Sequence, residues 1–116
     1  MLANEYQKLA ATTLVEEISV PILSSSQTLL LWNVIGLAGE SGEFLELIKK
    51  SVFHKHEFEL QRFKSELGDI FWYLAAIATG FGFSLEEIMQ GNIDKLKARF
   101  PEGKFTLEGT HHNSNE

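Results

Sequence analysis

Apolar positions recur at three- and four-residue spacing through successive stretches of this chain, the signature of helices with one buried face. Tyr6, Leu9, Ala10, Thr13 and Leu14 mark the first stretch. Asn4 reads as its N-cap, with Gln7 three residues on completing a capping box. This helix is expected to end near Glu17 to Ser19, because Val20 precedes Pro21 and is pushed out of the α region. Pro21 to Ser26 reads as a linker. Ser24, Ser25 and Ser26 then offer a choice of N-caps for a second helix from about Thr28 to Ser51. A third is expected from Glu57 to roughly Thr79, apolar at Phe58, Leu60, Phe63, Leu67, Ile70, Phe71 and Leu74, with Gly80 and Gly82 ending it. Ser84 with Glu87 makes a second capping box, opening a fourth helix that runs to about Phe100 and is closed by Pro101.

Beyond Asp69 the third helix is apolar nearly all round. Such a helix needs cover on most sides, which a small monomer supplies poorly, so Phe71, Trp72 and Ala75 to Phe81 are candidates for a subunit interface. The second helix carries Gly36, Gly39 and Gly42, each costing about 1 kcal/mol against alanine in a helix interior. Close approach of a neighbouring backbone or of a ligand would offset that cost, and plain helix packing accounts for any one of them equally well.

Composition narrows the class. At 116 residues the chain suits one domain with a core of its own. The expected division is a helical domain over residues 1–105 and a flexible C-terminal tail over 106–116. His111 and His112 in that tail offer metal ligands, but a solvated tail accounts for them as well. There is no cysteine, which excludes disulfide stapling, thiol catalysis and Cys-based zinc sites and fits a reducing cytoplasm. Met1 to Lys8 does not read as a signal peptide. The apolar run Ile70 to Phe83 falls short of the roughly 18 to 20 residues a membrane span needs. The net charge of −6 disfavours a nucleic-acid groove. The expectation is a soluble cytoplasmic protein with neither membrane nor nucleic acid as partner. Lys49, Lys50, His54, Lys55 and His56 form a basic helix end that suits the negative pole of the helix dipole and equally suits phosphate attraction.

The chemistry gathers on the second and third helices. Glu40 and Glu43 in one, and Glu66 and Asp69 in the next, each have i, i+3 spacing, so each helix presents two carboxylates from one face. If the helices lie antiparallel, the four acids converge and repel one another unless cations neutralise them. Mg²⁺, a hard ion that takes oxygen ligands and keeps water and substrate phosphates, fits most simply, with Mn²⁺ as the alternative. Arg62 and Tyr73 fall on the carboxylate face one turn to either side, while Trp72 points elsewhere. Asn33 and Gly36 precede Glu40 on the same side, and Asn33 and Trp32 are placed to meet a nucleobase, although an aromatic at helical spacing is as readily core. In the fourth helix Asn92, Lys95 and Arg99 share one stripe, compatible with a phosphate clamp or a solvated face.

The segments Gly-Leu-Ala-Gly-Glu-Ser-Gly-Glu at Gly36 to Glu43, Glu-Leu-Gly-Asp at Glu66 to Asp69 and Asn-Ile-Asp-Lys-Leu-Lys-Ala-Arg-Phe-Pro at Asn92 to Pro101 resemble the MazG-type all-α nucleoside triphosphate pyrophosphohydrolases. The opening Glu-Tyr-Gln-Lys-Leu-Ala resembles the short single-domain members, and the resemblance runs from about Asn4 to Phe105. It implies an all-α antiparallel bundle of about four helices, completed as a homodimer or homotetramer. It also implies Mg²⁺-dependent hydrolysis of a canonical or modified nucleoside triphosphate to monophosphate and pyrophosphate, the house-cleaning reaction of several relatives. By the resemblance Glu40, Glu43, Glu66 and Asp69 hold the metal and Glu43 is a candidate for taking the water's proton. Lys95 and Arg99 meet the phosphates, with Asn92 on their stripe, and Tyr73 matches a position near base or sugar.

The stretch from Val15 to Gln27 aligns with no particular subfamily, which leaves substrate choice open among housekeeping, dCTP- or dUTP-selective and phosphoribosyl-ATP-hydrolysing members. Two other readings compete. A di-iron carboxylate bundle needs Glu-x-x-His pairs that no helix here supplies. A non-catalytic helical interaction module retaining the acids is the remaining alternative.

Overall fold

The protein is described here by a computed structural model covering residues 1–16, 19–54, 57 and 59–111. Among these residues there are four α-helices and no strand: α1 (Ala3–Ala11), α2 (Ser25–Phe53), α3 (Leu60–Phe81) and α4 (Leu85–Arg99), followed by a 3₁₀ turn at Gly109–His111. The all-α expectation holds, and α2, α3 and α4 fall close to the stretches their periodicity marks.

Local chemistry accounts for most boundaries. Of the three candidate serines, Ser24 is the N-cap of α2: its hydroxyl accepts from the Gln27 amide at 3.1 Å while the Gln27 side chain accepts from the Ser24 amide at 3.0 Å. The same reciprocal pair joins Ser84 and Glu87 at the start of α4. α3 stops at Gly82, the C-cap, whose φ of 74° lies in the left-handed region that favours glycine. Gly80, in contrast, stays inside the helix.

α1 departs from expectation at both ends. Its N-cap is Leu2, whose amide donates to Glu5 at 3.2 Å. Asn4 is instead drawn into a tertiary role, its side-chain oxygen accepting from the Glu86 amide at 3.2 Å. Gln7 likewise ties α1 to the α3–α4 turn: it donates to the Phe83 carbonyl at 2.8 Å and accepts from the Leu85 amide at 2.8 Å. The helix ends at Ala11, well before Pro21, in a run of turns where the Thr12 and Thr13 hydroxyls donate back to the Leu9 and Ala10 carbonyls. Such back-bonding offers the backbone an alternative to continuing the helix. Glu17, in the expected end of this helix, lies outside the described residues, as do Lys55 and His56 of the basic cluster, Phe58 of the third apolar stretch, and His112 with the rest of 112–116.

α2 and α3 form the main packed pair, and α1 lies against α3 and α4. Residues rising along α2 meet residues falling along α3: Asn33 shares a cavity with Ala76, Gly36 lies under Tyr73, and the rings of Phe44 and Phe63 sit 4.1 Å apart. The pair is therefore antiparallel. α4 leaves α3 at a bend of 102°. Among the described residues the buried apolar side chains are all small, namely Ala10, Ala75, Ala76 and Ala78, with Thr28 and Asn33 buried beside them, while Phe71, Phe81, Phe83 and Met89 remain at least half exposed. Beyond α4 the chain folds back on the helix end, where Gly109 is buried against the Arg99 carbonyl and the Phe100 ring. Among the described residues, no single helix is long and apolar enough to cross a membrane.

Candidate active site

Antiparallel packing of α2 on α3 turns two local i, i+3 pairs into one cluster. Carboxylate oxygens of Glu40, Glu43 and Glu66 lie within 4.8 Å of one another. Glu40 and Glu66 are half-buried and Glu43 is exposed at the margin. One oxygen of Glu40 and one of Glu66 are fully covered yet have no hydrogen-bond partner, an arrangement that costs free energy unless something satisfies them. Asp69 is exposed and falls outside the 4.8 Å set, but its charge reaches both Glu40 and Tyr6.

The electrostatics follow from this crowding. Burial, then the nearness of the Glu66 carboxyl, to which Glu40 could donate only when protonated, then the charges of Glu43, Asp69 and Glu66 push the Glu40 carboxyl up to about 7. Burial, followed by the charge of Asp69, raises the Tyr6 phenol above its ordinary value. Among the described residues no lysine or arginine forms an ion pair with any of the four acids, and the one bridge formed is Lys49 to Glu46 on α2 at 3.2 Å.

On one side of the cluster Tyr73 lies directly over Gly36: a Cβ at position 36 would overlap the phenol ring, with the hydroxyl 2.8 Å away. Gly36 is thus the glycine that permits close approach of the two helices, whereas Gly39 and Gly42 face open space. Trp72 turns away, donating its indole N–H to the Thr13 hydroxyl at 2.8 Å. Further along the same groove Asn33 is buried, and Trp32 is exposed. On the other side of the cluster a cavity of about 310 Å³ is lined by Lys50 and Arg62 together with Glu57 and Glu59.

The α4 stripe lies elsewhere in the protomer. Its helix packs on α1; Asn92 is exposed and Lys95 half-buried. Arg99 lines a cavity of about 360 Å³ with Phe100, Lys104 and Glu108, none of the four acids among its walls, and its Nε is buried without a partner. Sequence reasoning placed Tyr6 only on an apolar face and missed its electrostatic link to Asp69. No local signal carries it, because the pair is joined by the docking of α1 on α3.

Residues 26–104, spanning α2, α3 and α4 and all four acids, match the MazG nucleotide pyrophosphohydrolase domain. The chain is also 33% identical over 79 residues to the Gene 37 protein of Mycobacterium phage L5, an alignment covering 65% of this chain and 69% of that protein. No solved structure matches the fold. With the family match covering well over half of the chain and centred on the acidic cluster, the protein belongs to the MazG nucleotide pyrophosphohydrolase family.

Proposed function

We propose that this protein hydrolyses a nucleoside triphosphate to the monophosphate and pyrophosphate, with a divalent cation held by Glu40, Glu43 and Glu66 and supported by Asp69. The observation that carries this reading is the three-carboxylate cluster with its two orphaned buried oxygens. An all-oxygen anionic set suits a hard cation, Mg²⁺ or Mn²⁺, and a cation is what would satisfy those oxygens. When bound, such an ion neutralises phosphate charge and makes a water nucleophilic near neutral pH.

The chain's own groups supply the rest. Glu43, the exposed member of the cluster, is the proposed acceptor for the proton of the water that attacks the α-phosphorus. The P–O bond to the β-phosphate then breaks and pyrophosphate leaves with the bridging oxygen. Tyr73, held against Gly36, forms a wall beside the acids against which the sugar can rest. Lys95 and Arg99, with Asn92, are the proposed phosphate contacts, and their position on α4 makes a second copy the natural donor of that stripe.

Assembly as a homodimer or homotetramer is part of the proposal. Within one protomer Phe71, Phe81, Phe83 and Met89 each leave half or more of their surface exposed, apolar area that a second copy would cover. Incubation with ordinary and modified nucleoside triphosphates, with and without Mg²⁺, tests the reaction. Metal-dependent release of monophosphate plus pyrophosphate is expected; no turnover of any triphosphate, or release of orthophosphate alone, would overturn it.

A further inference from the structure

We infer that Trp72 is a positioning residue: anchored by the Thr13 hydroxyl just past the end of α1, its indole holds the Tyr73 ring in place over Gly36 beside the acids. The inference rests on the proposed pyrophosphohydrolase reading, in which Tyr73 is the wall for the sugar, and adds what keeps that wall in place.

Trp72 and Tyr73 are consecutive on α3. Consecutive side chains leave a helix about 100° apart and do not face each other by default. Here the two rings do meet, with centroids 5.0 Å apart and planes crossing at 87°, the edge-to-face arrangement that aromatic quadrupoles favour. Meeting a chain neighbour in this way demands one particular setting of the Trp72 side chain. The indole N–H fixes that setting by donating to the Thr13 hydroxyl at 2.8 Å.

Thr13 is a directed acceptor. Its one hydroxyl proton goes to the Ala10 carbonyl at 3.0 Å, which leaves its lone pairs for the indole, a group that can only donate. The turn carrying it is seated on the helices as well, because Leu14 and Val15, the next two residues, line the cavity of about 350 Å³ that Asn33 shares with Ala76. Tyr73 is thus bounded by Gly36 on one side and by Trp72 on another. Gly36 gives the ring room but has no side chain to steer it. The steering comes from Trp72, and through Trp72 from the turn that ends α1. A substrate-facing group displaced by a fraction of an ångström loses binding, so its supporting contacts are functional parts of the site.

The test uses Thr13→Val, which keeps the shape and removes the acceptor; Thr13→Ser, which keeps the acceptor; and Trp72→Phe, which keeps an aromatic ring and removes the N–H. Each is made in the parent and in a Tyr73→Ala background. Steady-state rates are taken on dATP, dGTP, dCTP and dTTP, with Mg²⁺ binding followed by calorimetry. We expect Thr13→Val and Trp72→Phe to raise KM by up to about tenfold, the range of one net hydrogen bond, with kcat and Mg²⁺ affinity near those of the parent. Thr13→Ser should behave as the parent, and in the Tyr73→Ala background none of the three should change KM further. Equal effects of Thr13→Val and Thr13→Ser, or a KM effect that persists without Tyr73, would overturn the inference while leaving the pyrophosphohydrolase reading intact.

A second readout does not depend on turnover. The chain has two tyrosines, so the ring signals of Tyr73 in proton NMR are identified by their loss in Tyr73→Ala. They should shift in Thr13→Val and Trp72→Phe and stay in place in Thr13→Ser. Unmoved signals in the first two would show that the anchor does not reach Tyr73 and overturn the inference. Failure of the parent on every nucleotide would instead defeat the pyrophosphohydrolase reading, and with it the role of Tyr73 as a wall for the sugar.

Discussion

The ring of Tyr73 occupies the space that a Cβ on Gly36 would need. This single overlap fixes how closely α2 approaches α3 beside the acids. Replacing Gly36 by alanine should gain helix propensity of about 1 kcal/mol but force the tyrosine or the helices to move, at about 1–3 kcal/mol for overpacking. A net loss of stability is expected in urea denaturation, together with weakened Mg²⁺ binding as the carboxylates separate. The double variant Gly36→Ala, Tyr73→Ala should recover the stability lost to the clash. If it is as unstable as the sum of the two single variants, the ring is not what Gly36 makes room for.

Gly39 and Gly42 give the opposite expectation. Nothing lies within 4 Å of a Cβ built at either, so in an isolated protomer alanine should stabilise α2 by up to about 1 kcal/mol per site. Glycines that serve no contact within the protomer point to one between protomers on the proposed assembly. The expected outcome for Gly39→Ala with Gly42→Ala is therefore weaker self-association in analytical ultracentrifugation, with the helical content retained. Stabilisation at every protein concentration would remove α2's outer face from the interface.

The acidic cluster makes two predictions. Glu43→Gln should lower turnover by about 10²–10⁴-fold, the usual contribution of a positioned proton acceptor, and by more if metal is also lost. Helicity and oligomeric mass should stay near those of the parent, because Glu43 is exposed and supports no packing. Circular dichroism and light scattering beside the assay check both halves of the statement.

The second concerns pH. Glu40 is raised from 4.5 to about 7 in the folded chain, so between those values the folded protein binds more protons than the unfolded one. Its contribution to stability is fully present below the unfolded value and is lost as pH rises through the folded one. Metal-free protein should therefore melt at a lower temperature at pH 8 than at pH 5.5 as far as this cluster is concerned, and Glu40→Gln should flatten that difference. Saturating Mg²⁺ should reverse the trend, since it requires the deprotonated carboxylate, and its binding at pH 7 should release protons measurable in buffers of different ionisation enthalpy.

How much of this was legible follows from the range of each determinant. The Ser84–Glu87 box is complete within four residues and can be read from the chain alone, whereas three successive serines left the cap of α2 open and the structure selects Ser24 with Gln27. Glu40, Glu43, Glu66 and Asp69 are legible as pairs because i, i+3 spacing alone puts two side chains on one face. Which of them meet depends on the register of α2 against α3, and that register leaves Asp69 outside the tight set. α1 was misplaced because Asn4 and Gln7, good capping residues by type, spend their side chains on backbone groups about eighty residues away. The cavity at Asn33 needs three elements brought together, and Leu14 and Val15 carry no local mark of it.

Phe71 and Trp72 are adjacent on α3, and they separate protomer stability from assembly. Trp72 is half-buried, bonds to Thr13 through its indole N–H and meets Tyr73 edge to face. A charge there should unfold or loosen the protomer, leaving the oligomer question unanswered. Phe71 is 57% exposed, with an edge contact to Tyr6, and it stands in an apolar groove of about 560 Å³ with Leu74, Phe81, Phe83 and Met89. Phe71→Asp removes little from the protomer beyond an aromatic contact of about 0.5–1.5 kcal/mol, yet places a carboxylate where the proposed second copy would bury its apolar surface. The expected result is a smaller species in solution with near-parent helicity, and loss of turnover if the partner's α4 supplies phosphate contacts. An unchanged mass would take this groove out of the interface, and retained turnover by a monomeric variant would mean that one chain holds the whole site.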